Sequence, residues 1–233
     1  IEGDISDCFG SLSHELLLQI LSEKIQDGRF LHLIKKLLDA GYLEEWKFHR
    51  TLSGVPQGSV LSPLFSNILL DKLDTYVETT LIPQYTRGER RKHNPEYARL
   101  TKQANRLQRK GQKEAARTLR KSIRQLPSIA THDPAYRRLR YCRYADDFVL
   151  GFTGPKSEAE EIKQQLGTFL REELQLLLSP EKTLITHARN EAAKFLGYEI
   201  TTLQADTKQC VTKGGVKIRN INGKTGLRVP RAV

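Results

Sequence analysis

Apolar positions near the start of the chain follow the period of a strand and then that of helices. Ile1 to Ile5 is predicted to be the first strand. Ser13 is a typical helix N-cap, and the apolar positions after it recur every three or four residues until Gly28, a predicted stop. A second helix is predicted from about Phe30 to Ala40, with Gly41 at its C-terminal cap.

A loop and a longer helix follow. Trp46 to Arg50 alternates like a short strand, and Ser53 to Pro63 is a loop punctuated by glycine and proline. Ser62-Pro63 suits a helix start, because proline is tolerated at the first helical position. Pro83 marks the predicted end of this helix. Its predicted buried stripe is Leu64, Phe65, Ile68, Leu69, Leu73 and Val77.

The next segment predicts two helices with thin apolar stripes, separated near Gly111. Arginine and lysine occupy the faces opposite these stripes, so the pattern predicts a basic helical hairpin inserted into the body of the protein. The apolar positions of the first helix are Tyr97, Leu100, Ala104 and Leu107. Those of the second are Ala116, Leu119, Ile123 and Leu126.

The last part of the chain predicts a β-hairpin, a helix and several short strands. Two apolar runs between Leu139 and Phe152 flank Ala145-Asp146-Asp147, as in a hairpin. Ser157 with Glu160 predicts a capping box. The stripe of the helix after it is Ile162, Leu166, Phe169, Leu170 and Leu174. The remaining β structure is predicted at Leu176 to Leu178, Phe195 to Thr201 and Cys210 to Arg228.

This order of elements predicts an α+β fold. Strand, helices, strand hairpin, helix and strand is close to the split βαβ arrangement of ferredoxin-like antiparallel sheets, with helices on one face. In such a sheet the first strand and the central hairpin lie side by side. We therefore expect Asp4 to lie near Asp146, although the two are far apart in the chain.

Length and composition limit the class of protein. With 233 residues, the chain can hold one large domain or two small ones. No run approaches the ~18 apolar residues of a membrane span, and no basic and apolar leader marks a signal peptide. Cys8, Cys142 and Cys210 lack metal-type spacing and are odd in number, which is typical of a reducing compartment.

Basic charge is concentrated in one segment. The net charge is +11, yet residues 86–140 hold 17 Lys or Arg against 4 Asp or Glu, and the remainder is slightly acidic. Counterion release makes such a block suitable for binding a phosphate backbone. The alternative is a solvated helical face that serves solubility alone.

Three carboxylates are the candidate catalytic groups. Asp4 ends an apolar strand and Asp146-Asp147 lie at a hairpin tip, so together they would repel unless divalent cations neutralise them. Mg²⁺ suits this arrangement, because it takes one or two carboxylates plus substrate phosphates. Two such ions ~3.5–4 Å apart bind the attacking and leaving oxygens of a phosphoryl transfer. The alternative is a pair of turn aspartates that accept backbone hydrogen bonds.

Four motifs resemble those of reverse transcriptases. Tyr144-Ala145-Asp146-Asp147 resembles their catalytic loop, and the segment from Asp4 to Phe9 resembles their first aspartate motif. Ser53 to Pro63 resembles the motif between these two, and Phe195-Leu196-Gly197-Tyr198 resembles the primer grip. The Pro-Gln-Gly-Ser-Val-Leu-Ser-Pro run and Arg-Tyr-Ala-Asp-Asp-Phe are similar to group II intron-encoded proteins.

The resemblance implies a polymerase palm with a basic insertion. Residues 1–85 and 139–202 would be the two parts of the palm, 86–138 the basic helical insertion, and 203–233 a β-rich tail leading towards a thumb domain. The family's fingers would precede Ile1, so we expect this chain to be a fragment that is inactive alone or nearly so. The sequence is compatible with a homodimer as well as with a monomer.

The resemblance also implies roles for individual residues. Asp4, Asp146 and Asp147 would hold two Mg²⁺ ions, or Mn²⁺ as a substitute, together with the backbone carbonyl of Ile5. Lys182 would stabilise the pyrophosphate leaving group, with a plain solvated lysine as the alternative. The predicted nucleotide-binding residues are Ser6, Asp7, Cys8, Phe9 and Gln57. The predicted primer-binding residues are Tyr144, Ala145, Phe195, Leu196, Gly197 and Tyr198. The predicted RNA-binding residues are Arg87, Arg90, Arg91, Lys92, Arg106, Arg109, Lys110, Lys113, Arg117, Arg120, Lys121 and Arg124.

Two functions are compatible with these motifs. The first is an RNA-directed DNA polymerase that uses an RNA template, a DNA primer and deoxynucleotides. The second is a maturase, a splicing cofactor that binds intron RNA without needing catalysis. An RNA-dependent RNA polymerase is a third option, but Phe9 occupies the place where an aromatic ring would crowd a ribose 2′-hydroxyl. The expected location is the bacterial cytoplasm, with an organelle as the alternative.

Overall fold

The computed structural model describes residues 1–44, 47–49, 54–55, 60–130, 133–203, 210–211, 217–218 and 223–230. The helical elements are α1 (His14–Ser22), α2 (Gly28–Asp39), α3 (Ser62–Tyr76), a π-helical turn (Val77–Leu81), α4 (Ile82–Gln84), α5 (Pro95–Arg109), α6 (Lys113–Ile123) and α7 (Lys156–Glu173). The strands are β1 (Glu2–Gly3), β2 (Ile5–Ser6), β3 (Tyr42–Glu44), β4 (Lys47–His49), β5 (Arg138–Tyr144), β6 (Asp147–Thr153), β7 (Leu177–Leu178), β8 (Ala193–Phe195), β9 (Tyr198–Thr202), β10 (Cys210–Val211), β11 (Lys217–Ile218) and β12 (Thr225–Arg228).

The central sheet has the strand order of a split βαβ fold. β6 lies between β5 and β1, and both pairings are antiparallel. On the other side of the first strand, β2 pairs with β7, and Glu2 bridges to Leu184. The first strand therefore lies in the middle, beside the second strand of the hairpin, which confirms the predicted placement. The predicted single strand is divided in two at Asp4.

One face of the sheet carries the core. In the β5–β6 register, Leu139 pairs with Phe152 and Tyr141 with Leu150, so these four side chains share a face. Leu139 and Leu150 are buried there in the same cluster as apolar residues of α3 and α7. These two helices meet through the stacked rings of Tyr76 and Phe169, 4.1 Å apart. The helices cover this face, as the pattern predicts.

Local signals placed most helix ends correctly. The side chain of Ser13 accepts a hydrogen bond from the N–H of Leu16 and caps α1. Gly41 has a φ of 71°, the left-handed conformation that follows many helices. Ser62 and Pro63 begin α3, and β4 lies within the predicted strand Trp46 to Arg50. Within the Ser53 to Pro63 loop, residues 53 and 56–59 lie outside the described residues.

Two helix boundaries were wrong. Gly28 is the first residue of α2 rather than a stop, because the Asp27 carboxylate accepts hydrogen bonds from the next N–H groups and caps α2. Ser157 lies inside the first turn of α7 and forms no capping box, since the helix begins one residue earlier with Pro155 at the N-cap.

The predicted end and stripe of α3 also need correction. The helical path continues past Tyr76 through the π-helical turn, and Pro83 lies in the first turn of α4, where its missing N–H costs little. Leu64 is 53% exposed, whereas Leu70 is fully buried. The stripe is therefore rotated towards Leu70, because α3 contacts α1 as well as the sheet.

The basic segment forms a helical hairpin, as predicted. α5 and α6 pack on each other through small buried side chains, Ala104 and Ala116, and Gly111 turns between them with a φ of 79°. At the base of the hairpin, Arg87 and Arg137 exchange two backbone hydrogen bonds. The domain boundaries given above stay predictions. Among the described helices, none is long and apolar enough to cross a membrane.

Candidate active site

The first candidate ligand, Asp4, lies at the break between β1 and β2. Its carbonyl accepts a hydrogen bond from the N–H of Ser179 (2.9 Å), which fixes the backbone at the break. The side chain is 15% exposed. Its neighbour Ile5 is buried and pairs with Leu178 on β7. Asp4 is thus a partly buried carboxylate on a backbone held by the β7 segment.

The hairpin turn brings two further carboxylates to Asp4. Tyr144 and Asp147 close the β5–β6 hairpin, and Ala145 has a positive φ of 55°, as hairpin turns of two residues require. Asp146 and Asp4 act on Asp147 at close range, because burial, then the charge of Asp146, then that of Asp4 raise the pKa of Asp147. The three aspartates predicted from the sequence therefore do converge.

Lys182 also reaches this cluster. Its Nζ lies 3.1 Å from Oδ2 of Asp4, although the side chain is 70% exposed. The hydrogen bond to Asp4 raises the pKa of Lys182, so the ammonium ion is present throughout the neutral range. The ammonium group of Lys182 thus lies beside the carboxylates and offsets part of their mutual repulsion.

The donor set suits a hard divalent cation that shares its coordination with substrate. Within the part of the chain that the structure describes, no three His, Cys, Asp or Glu side chains enclose a metal ion by themselves. Mg²⁺ characteristically takes only one or two carboxylates and completes its shell with water and phosphate oxygens. The clustered oxygens of Asp4, Asp146 and Asp147 fit such a partial site.

Arg143 is a functional residue that the sequence did not reveal. It lies on the core face of β5, 11% exposed, and its guanidinium makes a bidentate pair with Asp74 of α3 at 2.8 and 2.6 Å. The same group donates to the carbonyl of Ala145 (2.7 Å) and to Asn67. Arg143 therefore links the turn at Ala145 to α3.

Asp74 completes this link. Burial alone would raise the pKa of Asp74, but hydrogen bonds from Arg143 and Tyr141 outweigh it and hold that pKa below its ordinary value. Tyr141 donates through its hydroxyl at 2.8 Å. An arginine in strict alternation with Leu139 and Tyr141 on a buried strand face was the available signal, since such a charge requires a partner.

The residues after Asp4 form a tight turn beneath the carboxylates. Asp7 has a positive φ of 42° and accepts from the N–H of Gly10, so its carboxylate is used in the turn itself. Ser6 and Phe9 are half-buried, and Phe9 packs against the core. Cys8 is buried, and burial together with Asp146 raises the pKa of its thiol to about 11.

The loop that carries Gln57 is attached to this turn. Gly54 donates to the carbonyl of Leu12 (2.7 Å) and Val55 to that of Phe9 (2.8 Å). A Cβ at Gly54 would come within 2.6 Å of backbone atoms of the turn, so only glycine fits there. The ring of His14 bonds to the carbonyl of Gly54. Gln57 itself lies outside the described residues.

The predicted primer-binding residues lie at two exposed tips. Tyr144 is 67% exposed beside the aspartates. Phe195 and Tyr198 close the β8–β9 hairpin, whose two loop residues, Leu196 and Gly197, both have positive φ, as in a type I′ turn. β8 contacts β1 and β6, so this hairpin lies against the sheet that carries Asp4 and Asp147.

The predicted RNA-binding residues lie on and around the basic hairpin. All are exposed except Arg91, which is half-buried with its guanidinium over the ring of Tyr136. Arg87 approaches Glu158 at 3.6 Å, and Arg120 donates to Gln108 and Asn105. The structure keeps this set separate from the carboxylate cluster, on another element of the fold.

Residues 111–200 match the family described as "Reverse transcriptase (RNA-dependent DNA polymerase)". The chain is 38% identical over 237 residues to the group II intron-encoded protein LtrA of Lactococcus lactis subsp. cremoris. That alignment spans 99% of this chain and 39% of the relative. Residues 111–200 thus resemble a reverse transcriptase, and the chain as a whole is similar to a group II intron-encoded protein.

One further relative and one solved structure are also similar to the chain. The chain is 37% identical over 227 residues to a COX1/OXI3 intron 1 protein of Saccharomyces cerevisiae, across 97% of this chain and 26% of that protein. It spans well under half of these relatives. A solved telomerase from Candida tropicalis, in complex with a fragment of telomeric RNA, superposes with a TM-score of 0.50 at 12% identity, over 86% of this chain and 28% of that one. This last likeness concerns the fold alone.

Proposed function

We propose that the protein is an RNA-directed DNA polymerase that extends a DNA primer on an RNA template by two-metal phosphoryl transfer. The observation that carries the proposal is the convergence of Asp4, Asp146 and Asp147 beside Lys182. Four charged groups of this kind suit phosphate chemistry, because the carboxylates attract cations and the ammonium ion attracts a phosphate. The similarity of residues 111–200 to reverse transcriptases supports the same reaction.

The protein's own residues would position the reactants. Asp4 and Asp146 would be the main ligands of the cations and Asp147 the third carboxylate, with the Ile5 carbonyl completing one shell. Two Mg²⁺ ions, or Mn²⁺ in their place, supply stabilisation of the charge on the attacking and leaving oxygens when bound. Lys182 would leave Asp4 for the pyrophosphate, where its ammonium ion neutralises the departing charge.

The turn after Asp4 would select the incoming nucleotide. The half-buried ring of Phe9 would crowd a ribose 2′-hydroxyl, while Ser6, Asp7 and Cys8 shape the backbone near the triphosphate. Gln57 would contact the incoming nucleotide or template base from the loop attached at Gly54. Substrate choice tests this part: the protein should prefer dTTP to UTP, and Phe9→Val should reduce that preference.

Template and primer would lie along the exposed tips. Tyr144 and Ala145 would contact the primer end at the catalytic turn, and the hairpin Phe195 to Tyr198 would hold the primer strand. The exposed arginines and lysines of the basic hairpin would bind the RNA backbone by counterion release.

The decisive test is primer extension on poly(rA) with an oligo(dT) primer and dTTP. The whole natural protein should extend the primer in Mg²⁺ and stop when EDTA removes the ion. The isolated chain of 233 residues, assayed beside it, should extend weakly or not at all. An absence of extension by the whole protein in both Mg²⁺ and Mn²⁺ would contradict the proposal.

A second function, binding of intron RNA as a maturase, is favoured by one observation. The basic hairpin consists of α5 and α6, which carry exposed arginines and lysines but none of the three candidate catalytic aspartates. Such a surface suits RNA binding without catalysis. A splicing assay with an intron RNA separates the two, because a maturase would remain active without the catalytic aspartates. The bacterial cytoplasm is the proposed location, and an organelle is the alternative.

A further inference from the structure

The side chain of Glu2 connects the catalytic strand to the β8–β9 hairpin. Glu2 is buried, although its carboxylate rises from the sheet face opposite the helices. One oxygen accepts from the hydroxyl of Thr186, and the other accepts from the backbone N–H of Lys194 at 2.7 Å. Both donors belong to the segment that leads into and forms β8.

The bond from Lys194 is fixed by the hairpin register. Phe195 and Tyr198 flank the two-residue turn, so their backbones form a hydrogen-bonded pair. Lys194 is the residue before Phe195, and its N–H therefore points away from β9. That N–H lies at a strand edge, where an unpaired donor is costly when buried. The Glu2 carboxylate supplies the missing acceptor.

The backbone of Glu2 is itself held in the middle of the sheet. It pairs with Val149 on β6 on one side and exchanges two hydrogen bonds with Leu184 on the other, at 2.9 and 3.1 Å. Asp4 follows two residues later, at the break after β1. A displacement of β8 relative to Glu2 therefore changes the distance between the hairpin tip and the catalytic carboxylates.

We propose that Glu2 is a positioning residue that sets the place of the hairpin tip, Phe195 to Tyr198, relative to Asp4. The inference rests on the proposed function, since it gives the hairpin the role of holding the primer end. Glu2 touches neither primer nor nucleotide in this scheme and acts through Thr186 and Lys194. Its loss should weaken the use of primer more than the use of nucleotide.

The test uses the whole natural protein and steady-state extension of oligo(dT) on poly(rA). Glu2→Ala removes both acceptors and should raise the KM for primer–template about tenfold, with the KM for dTTP within about twofold. Glu2→Gln should restore most of the loss. Its amide oxygen accepts from Lys194 while its amide nitrogen donates to the rotatable Thr186 hydroxyl.

Two further variants keep the test decisive. Thr186→Val removes one bond only and should raise the primer KM by a smaller factor, which covers the case in which Glu2→Ala fails to fold. Glu191→Ala removes an exposed carboxylate from the same segment and serves as the matched control. Hydrogen exchange of residues 193–202 should be faster in Glu2→Ala and unchanged in Glu191→Ala.

The outcomes separate the two proposals. Wild-type protein without extension activity contradicts the proposed polymerase and leaves hydrogen exchange to report on the hairpin. Wild-type activity with an unchanged primer KM in Glu2→Ala and Thr186→Val overturns the positioning role. Equal rises in the KM for primer and for dTTP, without rescue by Glu2→Gln, overturn it as well.

Discussion

In the palm sheet, Arg143 donates four hydrogen bonds, to Asp74, Asn67 and a backbone carbonyl, whereas most arginines of the basic hairpin are exposed. Arg143 and Asp74 are partly buried and are partners over a long sequence distance. The hairpin helices contact mainly each other, through alanine-sized side chains.

The difference fits the functions proposed for the two regions. Phosphoryl transfer needs carboxylates at fixed distances, and a displacement of about 1 Å is costly in rate. Binding of a phosphate backbone depends mainly on the number of positive charges near it. We therefore expect the palm to be sensitive to single changes that preserve charge, and the hairpin to be sensitive only to changes in charge.

The largest expected effect comes from Asp146→Asn. It preserves size but removes a ligand charge, and the stabilisation of several kcal/mol that metal ions supply corresponds to a loss of about 100- to 1000-fold in extension rate. Binding of RNA, measured by filter retention, should stay within about twofold. Asp71→Asn on the exposed face of α3 is the matched control. Loss of RNA binding by Asp146→Asn would show that the two regions are not separate.

Arg143→Ala should destabilise the palm by about 2 kcal/mol, a factor of about thirty in the folding equilibrium. The reason is that Asp74 keeps a partly buried charge without its partner. The expected fall in melting temperature is about 4–8 °C. Arg140→Ala removes an arginine from the exposed face of the same strand and should change stability by no more than about 0.5 kcal/mol. Equal effects of the two variants would contradict the anchoring role.

The triple variant Arg106→Ala, Arg117→Ala, Arg124→Ala should weaken RNA binding about tenfold at low salt. The slope of log affinity against log salt should decrease by about 2, because three phosphate contacts are lost. Melting temperature should hardly change, since all three side chains are exposed. Gln103→Ala is the neutral control on α5. An unchanged salt slope would favour the solvated-face interpretation of the hairpin.

The smallest effect is a dependence on pH. The pKa of Asp74 is lowered in the folded protein, so its stabilisation is present above the ordinary carboxyl pKa and is lost as pH falls through the lowered value. Asp74→Asn should therefore cost about 1 kcal/mol near neutral pH, and the deficit should shrink in acid. Urea unfolding at several pH values measures this. A deficit that is constant with pH would mean that the Asp74 charge contributes nothing.

Sequence patterns predicted the parts of this protein that depend on neighbours along the chain. The N-cap at Ser13, the turn at Gly41, the Asp146 hairpin and the basic helices are all local features. The helix end predicted at Gly28 was wrong, because Asp27 beside it is a stronger capping signal for the following helix. Such competing signals lie within two residues, and the pattern alone cannot rank them.

Sequence patterns did not identify the residues that hold the site in place. Glu2 meets Thr186 and Lys194, and Arg143 meets Asp74, so each contact joins residues far apart in the chain. A charged residue in an apolar strand indicates that a partner exists, but only the folded sheet identifies it. The convergence of the three aspartates could be anticipated, because strand order alone brings them together.

The closed base of the basic hairpin has a consequence for changes in chain length. Arg87 and Arg137 are hydrogen-bonded to each other through their backbones, and Leu139 donates to the Thr86 hydroxyl at 3.2 Å. The two ends of the insertion thus meet at one point on the sheet. We therefore expect that residues can be added to the insertion or removed from it beyond this point without changing the spacing between Asp4 and the catalytic turn.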